Sequence, residues 1–189
     1  MRTQFFNYDF PIMEIFDDVV LRQLHTSDAV EYFYYMNNEN VAEYIASGSL
    51  PSSVSHAVDE LKYWASLFSS RRSIYWGIAE KSSNKLIGTV GYNNIWHTHS
   101  RGELSYDLDF NYWGRGIMFK ALEGILEFSE ETIGLTRIQA TVIETNERSA
   151  KMLKKLNFEC EGLLQKYEYL RGDFYNSNMY AKILNPSSL

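Results

Sequence analysis

The sequence predicts an α/β protein of the α+β kind: a mixed, mostly antiparallel central sheet of about seven strands flanked by about four helices. Three observations carry this. Ile74, Trp76 and Ile78 alternate as in a half-buried strand, whereas Val54, Val58, Leu61, Trp64 and Phe68 recur at helical spacing. Patterns of these two kinds follow one another as β-α-α-β-β-β-α-β-α-β-β, which implies hairpins with one right-handed β-α-β crossover at the middle. No repeat, low-complexity tract or linker interrupts the 189 residues, so 1–189 reads as a single domain with 1–16 as an N-terminal extension.

Each element has a local reason. Val19–Leu24 alternates as a first strand, and Thr26 or Ser27 is placed to cap a helix with Asp28 in its first turn. That helix reaches about Met36, where the cluster Asn37–Asn40 breaks it. Ser47–Ser53 is a loop, and a second helix runs from about Val54 to Phe68. Ser73–Ala79 and Lys85–Ile95 read as a hairpin around Ser82-Ser83-Asn84. The turn His97–Gly102 leads into a strand Glu103–Phe110. A glycine-containing loop Asn111–Gly116 follows, then a helix Ile117–Phe128. Leu135–Glu144 is the next strand, Glu147–Leu156 a helix and Phe158–Leu170 a strand. Arg171-Gly172-Asp173 turns into a last strand, Phe174–Leu184.

Composition narrows the function classes. A formal net charge of −6 argues against a chain that coats nucleic acid by counterion release, and it is compatible with a cationic substrate. Cys160 is the only cysteine, which excludes an intrachain disulfide or a cysteine zinc cluster and suits a reducing cytoplasm. Residues 1–16 lack a basic segment followed by an unbroken apolar run, and no stretch approaches the roughly 20 apolar residues of a membrane helix. The expectation is a cytoplasmic protein with no membrane partner and no direct nucleic-acid partner. His97 and His99 would share a face if extended, but they fall in a turn with no obvious third ligand beside them, so no metal site is expected.

Two segments carry chemistry. The strand ending near Phe110, the loop Asn111-Tyr112-Trp113-Gly114-Arg115-Gly116 and the helix opening at Ile117 form a strand–turn–helix unit. A helix start leaves backbone N–H groups unpaired at the positive end of the dipole, and glycine lets a phosphate approach them. Further on, Thr145-Asn146-Glu147-Arg148-Ser149 opens another helix directly after a buried-looking strand. Together they point to an enzyme that holds a pyrophosphate-bearing cofactor and acts between two strand ends.

The element order and these segments resemble the GNAT superfamily of acetyl-CoA-dependent N-acyltransferases, and within it the Rim-type ribosomal-protein N-terminal acetyltransferases. The resemblance covers about Asp18 to Leu184. The family loop Q/R-x-x-G-x-G/A is matched by Asn111–Gly116, with Asn departing at its first position. Asn157 stands where a helix C-cap glycine is usual, and Tyr175 and Ser177 stand where the Rim-type tail often has acidic residues. The resemblance implies acetyl-CoA as cosubstrate and direct transfer to a primary amine, such as the α-amine of a ribosomal protein N-terminus, by a monomer or homodimer. A small amine such as a polyamine or aminoglycoside is the alternative acceptor, and a CoA-binding sensor without turnover the alternative class.

Residue by residue, the resemblance implies that the backbone of Trp113, Gly114, Arg115, Gly116 and Ile117 holds the pyrophosphate, with charge added by Arg115 and Lys120. Asp107 and Leu108 would pair through their backbone with the pantetheine arm, and Asn146 would touch that arm or simply cap its helix. Ser149 would face the sulfur and donate to the departing thiolate. Glu168 would be the general base, with Glu103 as its rival.

Overall fold

Strands β1 (Met13–Phe16), β2 (Val19–Gln23), β3 (Tyr75–Glu80), β4 (Leu86–Trp96), β5 (Arg101–Leu108), β6 (Arg137–Ile143), β7 (Glu159–Leu170) and β8 (Asp173–Ile183) form one sheet. Their order is β1-β2-β3-β4-β5-β6-β8-β7. The helices are α1 (Ala29–Met36), α2 (Glu39–Ala42), α3 (Val54–Ser69), α4 (Ile117–Phe128) and α5 (Glu147–Lys155). The computed structural model describes residues 6–16 and 18–186. All strand pairs are antiparallel except β5–β6, which the crossover helix α4 makes parallel.

Among the described residues the count is eight strands and five α-helices, one more of each than the sequence suggested. The extra strand, β1, lies within the supposed extension. It pairs with β2 through Met13↔Leu21 and Glu14↔Val20, and Trp76 Nε1 donates to the Pro11 carbonyl at 2.8 Å. Four residues interrupted by Glu14 carry too little alternation to read as a strand without their partner. Met1 to Phe5 lie outside the described residues. The extra helix, α2, arises inside the asparagine cluster. Asn37 does end α1, but the Asn38 side chain accepts from the Asn40 N–H at 3.0 Å and caps a new turn. Neither Thr26 nor Ser27 caps α1. Asp28 instead turns its carboxylate onto the His25 N–H and Arg22.

Side-chain alternation distributes two cores over the two faces. On one face α4 packs Ala121, Leu122 and Ile125 against Trp76, Ile78, Val90 and Ile138. On the other, α1 and α3 pack Tyr32, Tyr35, Ala57 and Leu61 against Tyr75 and Leu86. Tyr75 and Trp76 are adjacent in sequence and serve opposite faces, as the pleat requires.

Arg22 and Asp28 tie β2 to the turn before α1 with a bidentate pair of 2.7 and 2.8 Å, and Arg22 Nε donates to Asn84 Oδ1 at 2.7 Å. Both residues are buried, at 8% and 4% exposure. Asp28→Ala leaves the guanidinium buried without its counterion, so we expect a loss of about 3–5 kcal/mol, read as a lowered denaturant midpoint. A loss below about 1 kcal/mol would mean that the pair contributes no more than a surface ion pair.

One irregularity shapes the rest. β5 and β6 are paired only at Arg101↔Arg137, Gly102↔Ile138 and Glu103↔Gln139. Beyond these residues the two strands part. Opposite Glu103, β4 carries a bulge between Tyr92 and Asn94, and a bulge bends and twists a strand locally. The parting therefore begins where the bulge redirects the sheet.

Candidate active site

The parted strands open a cleft of about 1040 Å³ between β5, β6, α5 and the loop before α4. At one end the chain turns early. β5 stops at Leu108 rather than Phe110 because the Asp109 side chain accepts from the Asn111 N–H at 3.0 Å and starts a tight turn. Tyr112 and Trp113 then donate their N–H groups to the carbonyls of Asp109 and Phe110 at 2.9 and 3.1 Å. Trp113 therefore has no amide left to offer, contrary to the sequence expectation. The first helical bond of α4 runs from the Lys120 N–H to the Gly116 carbonyl. The amides of Gly114, Arg115, Gly116, Ile117, Met118 and Phe119 lie between, and none of them donates to a backbone carbonyl among the described residues. Gly114 and Gly116 both have φ of +76°, and a Cβ on either would meet nothing within 4 Å. These glycines are needed for their backbone angle, and the space beside them is open.

The cations differ from those the sequence named. Arg115 folds back, donating to the Asn111 carbonyl at 2.9 Å and lying 4.9 Å over the Tyr112 ring. Lys120 pairs with Glu123 on the surface. Among the described residues Arg148 and Lys151 are the basic side chains that line the cleft, Arg148 stacking 4.1 Å over Trp113 and Lys151 pairing with Glu147 at 2.7 Å. Their spacing on α5 (one turn apart) was visible in the sequence, but the neighbouring loop was not.

Along the middle, residues 104–108 of β5 have no β6 partner. The Leu108 carbonyl already accepts from the Trp113 indole N–H at 2.8 Å, which uses one of its two lone pairs. The Asp107 side chain accepts from the Tyr35 hydroxyl at 2.6 Å, the Thr89 hydroxyl at 2.7 Å and the Thr89 N–H at 3.1 Å. Burial pushes its carboxyl up to about 6 against these three donors. Its side chain is thus a clamp joining α1, β4 and β5, a role the sequence did not suggest.

On α5, Asn146 is the N-cap and accepts from the Ser149 N–H at 3.1 Å. Ser149 Oγ lies 2.6 Å from the Tyr106 hydroxyl, a partner the sequence reading missed. Strand alternation from Asp107 was the only available signal for it.

At the far end, Glu168 and Glu103 both line the cleft. Burial raises the Glu168 carboxyl above its ordinary value, and the charge of Glu103 raises it further. An irregularity in β7 between Leu164 and Glu168 sets Glu168 opposite Tyr175; within it Lys166 has φ of +50° and gives its N–H to Asn176. Tyr32, Trp64 and Tyr75 supply an aromatic wall, the last two stacked at 4.6 Å. His97 and His99 stay in their short turn, His97 against Phe6.

The site thus combines unpaired amides at a helix start, an unpaired strand edge, a hydroxyl pair and a coupled carboxylate pair. Such a groove can hold a phosphate-bearing, amide-rich molecule at one end and remove a proton at the other.

Comparison with known proteins agrees with this chemistry. Residues 18–159 match the acetyltransferase (GNAT) domain family. The chain is 32% identical over 172 residues to the N-acetyltransferase YoaA of Bacillus subtilis, covering 91% of this chain and 96% of that protein. The ribosomal-protein-S5-alanine acetyltransferase of Vibrio fischeri superposes with a TM-score of 0.84 at 29% identity, over 95% of this chain and 100% of the other. The microcin C7 self-immunity acetyltransferase MccE, solved with acetyl-CoA and AMP, superposes with a TM-score of 0.80 at 25% identity, over 91% and 96%.

Proposed function

The chain belongs to the GNAT acetyltransferase family, and from that premise we propose that it moves the acetyl group of acetyl-CoA directly onto the α-amine of a protein N-terminus, a ribosomal protein being the favoured acceptor. The carrying observation is the cleft itself, with unpaired amides at the α4 start and the Glu168–Glu103 pair at the other end. In this reading the amides of 114–119 hold the pyrophosphate, the free edge of β5 takes the pantetheine arm, and Asn146 both caps α5 and borders that arm. Arg148 supplies the positive charge assigned from sequence to Arg115 and Lys120.

Glu168 takes the proton from the ammonium group, directly or through a water, so that the nitrogen attacks as a neutral amine. Ser149 donates to the sulfur as the C–S bond breaks. An α-amino group has a pKa near 8 against about 10.4 for lysine, so a carboxylate suits an N-terminus better. The reading treats 1–189 as one catalytic domain of a cytoplasmic enzyme. The similarity to an S5-alanine acetyltransferase over nearly the whole chain supports the acceptor class.

The test is turnover of acetyl-CoA against a panel: ribosomal-protein N-terminal peptides, the same peptides blocked at the N-terminus with an internal lysine, spermidine and an aminoglycoside. Free N-terminal peptides should give the highest kcat/KM, by at least about tenfold over the blocked ones. Preference for spermidine or the aminoglycoside overturns the acceptor. Acetyl-CoA binding with no turnover of any amine, including further N-terminal sequences, favours the sensor.

A further inference from the structure

The Tyr106–Ser149 contact bridges the two sides of the cleft. Tyr106 stands on β5 beyond the last β6 pair, and Ser149 stands on α5, which follows β6. Their oxygens are 2.6 Å apart, and each is the other's only side-chain hydroxyl partner among the described residues. Both residues line the cleft.

The two ways of placing the protons are not equivalent. If the serine donates, its one proton is spent on the phenol oxygen and none is left for a group in the cleft. If the phenol donates, its one proton is satisfied, and the serine, which lines the cleft, keeps its own proton for a group bound there. We propose that Tyr106 is a positioning residue for acetyl transfer, fixing Ser149 as a directed donor to the sulfur of the leaving thiolate. The inference rests on the reading of Ser149 given above.

Tyr106 itself need not lose its proton. Burial, only partly offset by the bond to Ser149, pushes its phenol up to about 12, whereas an ordinary thiol titrates near 8.5. The reaction balances without it. The N–C bond forms and the C–S bond breaks with its electron pair left on sulfur. Of the two protons the ammonium group gives up, the one taken by Glu168 passes to solvent and the other is balanced by the proton the thiol regains. Tyr106 contributes by orientation, and because charge on sulfur develops only during transfer, its effect belongs in kcat.

The experiment is a double-mutant cycle in steady-state kinetics on the full chain, using Tyr106→Phe, Ser149→Ala and the pair. Tyr106→Phe removes one oxygen and keeps the ring. We expect it to lower kcat roughly tenfold, with KM for acetyl-CoA within about twofold, and to lower kcat no further once Ser149 is alanine. Reduced stability alone would lower activity by the same factor in both backgrounds, and that result overturns the proposal, as does an unchanged kcat in Tyr106→Phe while Ser149→Ala is impaired. If Ser149→Ala keeps its kcat, the Ser149 reading itself fails and this inference falls with it.

Discussion

Acetyl-CoA raises the melting temperature of the native chain and leaves that of Gly116→Val unmoved: this is the expected result for the loop before α4. A ligand at about 100 times its Kd adds roughly 2.7 kcal/mol to the folded state, which for a domain of this size corresponds to a rise of roughly 5–11 °C. Valine at position 116 acts against binding in two ways. The residue sits at φ of +76°, where a β-branched side chain is strained, and the side chain projects into the open space beside the unpaired amides. Strain lowers the melting temperature of the variant without ligand, by about 1–2 kcal/mol in stability. The ligand-induced rise is read against that same variant, so the two effects separate. Gly116→Ala, with comparable strain but less bulk, should retain part of the rise. A full rise in Gly116→Val would remove this loop from the cofactor site.

Much of that loop was legible beforehand, because glycine, helix start and preceding strand are local signals. The boundaries of α4 were read as they stand, Ile117–Phe128. The loop's hydrogen bonds were not legible. The Trp113 amide is spent on Phe110 and its indole on Leu108, and Arg115 folds over Tyr112 rather than outward. Each of these depends on where a side chain turns after the chain has bent. β1 escaped for a related reason: four residues form a strand only because β2 and Trp76 hold them there. Asp107 is the sharpest case. The sequence suggested its backbone, whereas the fold uses its carboxylate to join Tyr35, far off in sequence, to Thr89. Contacts across such separations leave no trace in local periodicity.

The coupled glutamates carry the second large effect. Glu168→Gln should lower kcat on the order of 10²–10⁴-fold and erase the acidic limb of the pH–rate profile, while acetyl-CoA still raises the melting temperature. The sign follows from the site. A base works only when ionised, so the rate falls as pH drops through its pKa, and here burial and then Glu103 hold that pKa above the ordinary carboxylate value. Glu103→Gln removes the second of these causes without touching the first. It should therefore keep most of kcat and move the acidic limb to lower pH, because Glu168 then ionises more readily. The rival assignment predicts the reverse. With Glu103 as the base, Glu103→Gln would carry the large loss of kcat and Glu168→Gln the small one. Both glutamates line the cleft, and what favours Glu168 is its carboxyl, which burial and the charge of Glu103 raise towards the range in which a base works best. If both variants keep rate and profile, solvent deprotonates the amine, and catalysis rests on holding amine and thioester together.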